Sequence, residues 1–342
     1  IVAENNSFED KVLGCMIGGF IGDSIGTPTE GKDFKEIESE FGYVNDFNED
    51  GTDDTIMKFI LAKTLIRTGG WGKADDWAVD WLENIDFIYG SKQNRFFASV
   101  IHTLEKFKRN FNIPPRLAAL GNMPSSSSAM CISPVGIVNA GNPQMAAMQA
   151  YDFASLIHTH DVAFCQDGAA MIAAATAQAF VPDTTIDTII DSAKKFIAPV
   201  SGSHLLDTSE SIIDIAKCEG NYVGFRNKIY EQRDKYFYDI ICDSRETIPI
   251  TFGLLYLSQG SIEEAACFSA NFGRDSDTIG TMCASITGAY SGASSLPKQW
   301  YDKAIKISVH DQVKLTGELI KTARQKQSEF SDQLKSMHSS TQ

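Results

Sequence analysis

Hydrophobic residues recur along this chain at intervals of three and four, which is the repeat of an α-helix with one buried face. Near the N-terminus, Val12, Met16 and Phe20 share such a face. The strict alternation of apolar and polar residues that is typical of a half-buried strand is almost absent. The pattern predicts an all-α protein, with further helical windows at residues 57–65, 77–88, 96–107, 145–157, 168–180, 186–196, 205–216, 248–258, 262–271 and 278–290.

Prolines separate many of these windows, and no stretch has the composition of an interdomain linker. There is also no internal repeat with a fixed period. We therefore predict a single domain over residues 1–325. Residues 326–342 are predicted to form a polar C-terminal tail that frays. The helix-breaking residues are Pro114, Pro115, Pro124, Pro134, Pro143, Pro182, Pro199, Pro249 and Pro297.

Composition narrows the class of protein. The 342 residues include 30 Lys and Arg against 44 Asp and Glu, a formal charge of −14, which argues against a nucleic-acid partner. The apolar run at residues 12–22 is shorter than the roughly 20 residues that a membrane-spanning helix needs. The 7 cysteines are scattered and none forms a C-x-x-C pair, so we expect reduced thiols in a cytoplasmic, soluble protein.

Glycines recur every fourth residue in the first helical segment. Gly14, Gly18, Gly22 and Gly26 fall on one face, where another backbone could approach closely, so we predict tight helix packing at Gly14 and Gly18. The segment ends in G-D-S-I-G-T-P-T-E, which delivers Glu30 into a loop.

Two acidic clusters stand at the starts of helical windows far apart in the chain. Residues 52–55 read T-D-D-T and residues 275–278 read D-S-D-T. Spacing alone leaves open that each cluster is an independent helix cap. If the two helix starts meet, four carboxylates would repel one another unless cations joined them, and their hard oxygen ligands select magnesium or manganese.

Two polar loops are further candidates. Residues 121–136 contain four consecutive serines, which form either a flexible surface connection or a cradle of donors for a phosphate. Residues 158–161 read H-T-H-D, and each histidine there is either a cap or a surface residue, with metal ligation disfavoured because the aspartate clusters do not need it.

Taken in order, these segments resemble the ADP-ribosylglycohydrolase family. Its members carry a glycine-rich first helix ending in G-D-x-x-G-x-P-x-E, then T-D-D-T, a G-N-x-x-x-M-R-x-x-P-x-G loop, a T-H pair and a late D-x-D-T-I helix start. The matching segments here are residues 22–30, 52–55, 121–136, 159–160 and 275–279. The resemblance implies an all-helical single domain, built as an orthogonal multi-helix bundle, with a binuclear metal site, two Mg²⁺ or Mn²⁺, at the bottom of a central cleft.

The resemblance also implies roles for the acidic residues. Glu30 matches the acidic loop residue that gates or assists the site. The implied catalytic residues are Glu30, Asp53, Asp54 and Asp277. The implied metal ligands are Thr52, Asp53, Asp54, Asp275, Asp277 and Thr278.

Around the ribose, the resemblance implies substrate-binding roles with two departures. Ser127 and Ser128 occupy the phosphate-loop positions, and His160 matches a residue that lines the ribose pocket. Cys131 stands where better-known members place Arg, and Arg274 stands where they commonly place Gly. One cation is lost and another gained, so Arg274 joins the predicted substrate-binding residues.

These observations predict metal-dependent hydrolysis of a ribosyl glycosidic bond, with an ADP-ribose conjugate of a protein side chain or a related molecule as substrate. Two alternatives stay open: a hydrolase of a smaller N-riboside that has no diphosphate, and a non-catalytic binding or structural member of the family. The intact aspartate and threonine sets argue against the second alternative. The expected partner is a ribosyl substrate, with no nucleic acid and no membrane.

Overall fold

The computed structural model describes residues 6–90, 96–109 and 112–339. Its regular elements in these ranges are all helical, which confirms the predicted all-α class. Among the described residues, no helix combines the length and the hydrophobicity of a membrane-spanning segment. The helices are α1 (Phe8–Gly26), α2 (Phe34–Glu40), α3 (Asp53–Arg67), α4 (Ala74–Glu83), α5 (Ile85–Ile88), α6 (Ala98–Arg109), α7 (Pro115–Ala118), α8 (Ser133–Val138), α9 (Pro143–Ala154), α10 (Phe164–Ala179), α11 (Ile186–Lys195), α12 (Ser203–Glu219), α13 (Tyr222–Glu231), α14 (Arg233–Tyr236), α15 (Ser244–Ser258), α16 (Ile262–Phe272), α17 (Ser276–Ser291), α18 (Lys298–Ile307) and α19 (Gln312–Ser339).

Helix α1 is the central element of the core. Ser7 caps its start by accepting a hydrogen bond from the backbone N–H of Asp10. Every residue from Asp10 to Gly26 is buried, because the helix is apolar on all sides and other helices surround it. A short 3₁₀ turn, Thr27–Thr29, ends α1 at Pro28 and leads the chain to Glu30.

Helix α17 packs antiparallel along α1 through a row of small residues. A Cβ at Gly14 would lie 2.5 Å from the carbonyl oxygen of Gly288, and one at Gly18 would lie 2.5 Å from that of Ala284. These separations are too short for any side chain, so the two backbones touch. The predicted packing role of Gly14 and Gly18 is confirmed, and this contact carries the start of α17 to the end of α1.

Helix α10 forms a second buried layer. Its residues from Cys165 to Ala177 are all buried, and it packs against α8, α9, α11, α15 and α17. Six alanines within residues 169–177 keep the helix thin enough for these neighbours to approach.

Two predicted helix boundaries differ from the structure. The window at residues 77–88 is two helices, because the Asn84 side chain donates to the carbonyl oxygen of Asp80 and ends α4. Pro249 lies inside α15 and does not delimit it. Asp243 caps that helix five residues before the window predicted at 248, and the proline removes a single backbone donor.

The C-terminal segment is helical through Ser339, so α19 crosses the domain boundary predicted at residue 325. Lys326 is buried, and its ammonium donates to the carbonyl oxygen of Gly70 and to Oδ1 of Asn139, each at 2.8 Å. Glu329 accepts a hydrogen bond from Nε1 of Trp71. The start of the predicted tail is therefore packed helix rather than a fraying end, and residues 340–342 of the tail lie outside the described residues.

The seven cysteines are free thiols, and five of them are buried. Cys218 is exposed and Cys242 is half-buried, which the sequence did not indicate.

Candidate functional site

The N-terminus of α3 is organised by a carboxylate of α1. Asp23 is fully buried and accepts hydrogen bonds from the backbone N–H groups of Thr52, at 2.9 Å, and Thr55, at 3.0 Å. It also accepts from both threonine hydroxyls, at 2.9 and 2.5 Å. Asp23 thus satisfies two backbone N–H groups at the start of α3, and the hydroxyl of Thr52 accepts from a third, that of Asp54.

The start of α17 is set by a turn that requires glycine. Gly273 has φ of +81° and Arg274 of +60°, so the chain reverses just before the helix. Asp275 is the N-cap residue, yet its side chain makes no capping hydrogen bond. Its carboxylate is therefore directed away from the helix that it begins.

The two acidic helix starts meet in space. Oγ1 of Thr52 lies 3.4 Å from Oδ2 of Asp277, and Oγ1 of Thr278 lies 3.4 Å from Oδ2 of Asp54. Each helix start thus presents a threonine to a carboxylate of the other. The clusters form one site and are not independent helix caps.

Glu30 approaches the same place from the loop after α1. Carboxylate oxygens of Glu30, Asp275 and Asp277 lie within 4.8 Å of one another, a separation that a shared metal ion would bridge. Asp275 and Asp277 are buried, whereas Glu30 is exposed.

The acidic residues form the floor of a cavity of about 490 Å³. Its walls combine aromatic and aliphatic side chains with serines and an additional aspartate. The lining residues are Glu30, Asp53, Asp54, Phe96, Phe97, Ala98, Ser126, Ser127, Met130, Asp239, Ile240, Ile241, Cys242, Asp275, Asp277 and Thr278.

Burial and mutual repulsion disfavour ionisation of the carboxyl groups on the cavity floor. Burial raises the pKa of Asp54 well above its usual range, and the nearby charge of Asp23 raises it further. Burial likewise raises the pKa of Asp275, to which Asp277 adds, and the pKa of Asp277, to which Asp54 adds. Such a set stays ionised at neutral pH only when cations compensate it.

The residues present fit a hard divalent cation. Oδ1 of Asp54 is buried and has no hydrogen-bond partner among the described residues, although an ionised carboxylate oxygen normally accepts hydrogen bonds or binds a metal. The remaining groups are carboxylate and hydroxyl oxygens, which suit magnesium or manganese better than zinc.

The serine-rich loop forms one wall of the cavity and is hydrogen-bonded to a buried histidine. His158 is fully buried, with Nε2 2.9 Å from Oγ of Ser125 and Nδ1 2.9 Å from Oγ of Ser128. Burial lowers the pKa of His158 to about 3, so the ring is neutral and donates through one nitrogen only. This loop is therefore ordered and packed, not a flexible surface connection.

Residues 239–242 form a second wall, which is hydrogen-bonded to the serine loop. The backbone N–H of Ser126 donates to the carbonyl oxygen of Cys242 at 2.7 Å. The hydroxyl of Ser244 donates to the carbonyl oxygen of Ser125 at 2.8 Å. Oγ of Ser126 also lies 3.2 Å from Oδ2 of Asp275, so this serine joins both walls to the floor.

Arg274 connects three parts of the site without lining the cavity. Its guanidinium donates to both carboxylate oxygens of Glu246, at 2.7 and 2.8 Å, and to the carbonyl oxygen of Tyr238. Its backbone carbonyl accepts from Gly31, the residue after Glu30. Arg274 therefore joins the Glu30 loop and the 239–242 wall to the start of α17.

Of the four predicted substrate-binding residues, one lines the cavity and three do not. Ser127 lines the cavity. Ser128 points to His158, Arg274 pairs with Glu246, and the His160 side chain is 75% exposed; none of these three lines the cavity. His160 begins a 3₁₀ turn at φ of +59°, whereas His158, two residues earlier, is fully buried.

Sequence reasoning missed several residues of the site. Asp23 stands in the G-D pair of the first motif, and His158 stands two residues before the predicted His160. Their burial was the decisive property, and a single local motif does not report it. The 239–242 wall and the Phe96–Phe97 pair carry no recognisable local signal.

Comparison with known proteins agrees with this geometry. A family model described as ADP-ribosylglycohydrolase matches residues 4–329. The chain belongs to the ADP-ribosylglycohydrolase family. Membership supports a glycosyl hydrolase function. The family is metal-dependent, and its name implies ADP-ribosylated substrates.

Individual relatives are distant but extend over most of the chain. An uncharacterized protein of Escherichia coli K12, YegU, is 25% identical over 311 residues, which cover 84% of this chain and 89% of YegU. ADP-ribosylhydrolase ARH3 of Bos taurus is 22% identical over 342 residues, 85% of this chain and 87% of ARH3. A solved structure described as an ADP-ribosylglycohydrolase-related protein complex has a TM-score of 0.67 and 18% identity, and the match covers 93% of this chain and 99% of the other. That likeness shows the shared fold.

Proposed function

We propose that this protein hydrolyses the glycosidic bond at the anomeric carbon of a ribose in a metal-dependent reaction, with an ADP-ribose conjugate as substrate. The observation that carries the proposal is the convergence of two distant acidic helix starts and Glu30 on the floor of one cavity. Such a convergence has a high electrostatic cost without cations, and the family to which the chain belongs acts on ribosyl bonds.

Six residues would hold the ions. The two helix starts provide four carboxylates, which would neutralise two divalent cations. Bound ions supply a polarised water and positions for the ribose hydroxyls. The proposed ligands are Thr52, Asp53, Asp54, Asp275, Asp277 and Thr278.

Glu30 is the proposed general base. It is exposed at the edge of the floor, within 4.8 Å of the Asp275 and Asp277 oxygens, so it can exchange protons with solvent between turnovers. In the reaction, a water oxygen forms a bond to C1′ while the bond from C1′ to the leaving nitrogen or oxygen breaks. Glu30 accepts a proton from the water, the leaving atom takes up a proton from solvent, and Glu30 then returns its proton to solvent.

The cavity walls would orient the substrate. Ser126 and Ser127 provide polar groups on one side, and Phe96, Phe97 and Met130 provide an apolar surface for the sugar or the leaving group. Ser128 and Arg274 would act through the loops that they hold. His160 would contact the substrate only where the substrate extends beyond the cavity.

One observation favours the smaller-riboside alternative. Among the described residues that line the cavity there is no lysine or arginine, and the guanidinium of Arg274 is already paired with Glu246. Within the described lining, a diphosphate would find serine hydroxyls and backbone donors but no cationic side chain. Inhibition of turnover by free ADP-ribose at micromolar concentration supports the diphosphate substrate, and no inhibition at millimolar concentration supports the smaller riboside.

The deciding experiment is a product screen by mass spectrometry with Mg²⁺ or Mn²⁺ present. Substrates would be arginine-, serine- and other O-linked ADP-ribose conjugates and simple nucleosides. We expect release of ADP-ribose by the native protein, none after chelation, and none from Asp277→Ala with unchanged helical circular dichroism. Full activity of that variant would contradict the assignment. Ion binding without any product would favour the non-catalytic alternative.

A further inference from the structure

Helix α3 carries a buried lysine one turn beyond its acidic start. Lys58 follows Asp54 by four residues, and its side chain is 1% exposed. Its Nζ has no hydrogen-bond partner among the described residues. Burial lowers the pKa of Lys58 and so disfavours its charged form, whereas the nearby carboxylates of Asp23 and Asp54 favour the ammonium.

The structure provides a space for this ammonium between α1 and α17. At Gly19 of α1, a Cβ would lie 2.5 Å from Nζ of Lys58 and would overlap Oγ of Ser285. The hydroxyls of Thr281 and Ser285 on α17 are also buried without partners among the described residues. Lys58 thus ends in a polar space behind the cavity floor, which exists because residue 19 has no side chain.

The negative charges near Lys58 belong to Asp54, on the cavity floor, and to Asp23, which caps the start of α3. Asp23 and Asp54 act on Lys58 electrostatically, and Lys58 is the cation that acts on both of them in the described part of the chain. The nearby thiols of Cys15 and Cys131 are buried and neutral at ordinary pH, because burial raises the pKa of each.

Two divalent ions and the Lys58 ammonium together would carry as many positive charges as the buried carboxylates of the centre carry negative ones. Five carboxylates of the centre are at least nine-tenths buried, while Glu30 is exposed to solvent and screened. Two divalent ions would neutralise four of the five and leave one negative charge in a low-dielectric interior. The buried carboxylates are Asp23, Asp53, Asp54, Asp275 and Asp277.

We propose that Lys58 is a positioning residue that completes the charge balance of the acidic centre. Its ammonium neutralises the carboxylate that two divalent ions leave over, reduces repulsion in the ion-free protein and limits the affinity for the ions. This inference rests on the proposed metal-dependent function.

The test is calorimetric titration of the full chain with Mn²⁺. Lys58→Met removes the charge and keeps the length of the side chain. We expect its Mn²⁺ dissociation constant to fall about tenfold, because the field at the floor becomes more negative. The thermal midpoint should fall more in EDTA than in Mn²⁺. If Lys58 had a purely structural role, Lys58→Met would instead bind Mn²⁺ more weakly than the native protein, because the site would be disturbed.

Two matched variants separate charge from packing. Lys326→Met removes another buried lysine, whose partners Gly70 and Asn139 lie outside the acidic cavity, and Ser285→Ala removes a neighbouring hydroxyl without changing charge. Both should keep the native Mn²⁺ affinity within twofold. If Lys58→Met does not fold in EDTA, Lys58→Gln keeps a polar head in the same space and is titrated instead.

The outcomes are distinct. Tighter Mn²⁺ binding by the Lys58 variants alone supports the inference. Unchanged or weaker binding by these variants, with normal binding by the native protein, overturns it and leaves the proposed function standing. A native protein that binds neither Mn²⁺ nor Mg²⁺ overturns both.

Discussion

Gly26, the last residue of α1, lies directly against the backbone of Asp277 in the first turn of α17. A Cβ at position 26 would overlap the Cα and the backbone nitrogen of Asp277. The absence of a side chain at residue 26 therefore determines where a cavity-lining carboxylate stands. Gly14 makes the equivalent close contact with Gly288 at the other end of the same helix pair.

Gly26→Ala and Gly14→Ala form a matched pair of substitutions. Each forces the two helices apart, and we expect each to cost about 2 kcal/mol of unfolding free energy. Only Gly26→Ala displaces Asp277, so it should weaken Mn²⁺ binding at least tenfold, while Gly14→Ala stays within twofold of the native protein. Urea denaturation and calorimetric titration measure the two effects. Equal Mn²⁺ affinities for both variants would show that the contact does not position the site.

The buried imidazole of His158 predicts a loss of stability in acid. Burial lowers its pKa from 6.5 to about 3 in the folded protein, so below pH 6.5 the unfolded chain binds a proton that the folded chain does not. The loss begins near pH 6.5 and amounts to about 2 kcal/mol at pH 5. His158→Gln removes this contribution. We expect the native protein to lose about 2 kcal/mol more than the variant between pH 7.5 and 5, measured by urea denaturation; identical pH dependence would refute the assignment.

Arg274→Gln tests the connection between the Glu30 loop and the 239–242 wall. Glu246 is fully buried and would lose the guanidinium that compensates its charge, so we expect a loss of about 3 kcal/mol of unfolding free energy. The exposed Lys298–Asp302 pair is the control, and Lys298→Gln should change stability little. Chemical denaturation of the two variants makes the comparison. A small effect for Arg274→Gln would mean that Glu246 is satisfied by its remaining donor, the backbone N–H of Tyr238.

The acidic floor predicts a pH-dependent response to metal removal. The pKa values of Asp54, Asp275 and Asp277 are raised in the ion-free protein, mainly by burial. The ion-free protein therefore gains stability from protonation of these groups at low pH and loses it as pH rises through their folded pKa values. We expect the difference in thermal midpoint between Mn²⁺ and EDTA samples to increase from pH 5.5 to pH 8. A difference that is constant with pH would argue against a metal at these carboxylates.

The helical class followed from local pattern, since the three- and four-residue spacing of apolar side chains is a property of each segment by itself. Helix ends were harder to predict. The division at Asn84 depends on one side chain, and the packed start of the C-terminal segment depends on acceptors that Lys326 finds on distant elements. The sequence around Asn84 or Lys326 does not show which group each side chain contacts or how far away that group lies.

The sequence by itself determined that the chain is helical, that acidic clusters begin two of its helices, and that a glycine face permits one helix to be approached closely. Only the tertiary structure decided that these clusters share a cavity, because the separation of Asp54 and Thr278 is set by the packing of α1 against α17 and not by any local preference. It also decided which neighbouring side chains are inside. His158 is buried beneath the serine loop while His160 faces solvent, and Asp23 holds the threonines from within the core, since burial depends on every element that surrounds a residue.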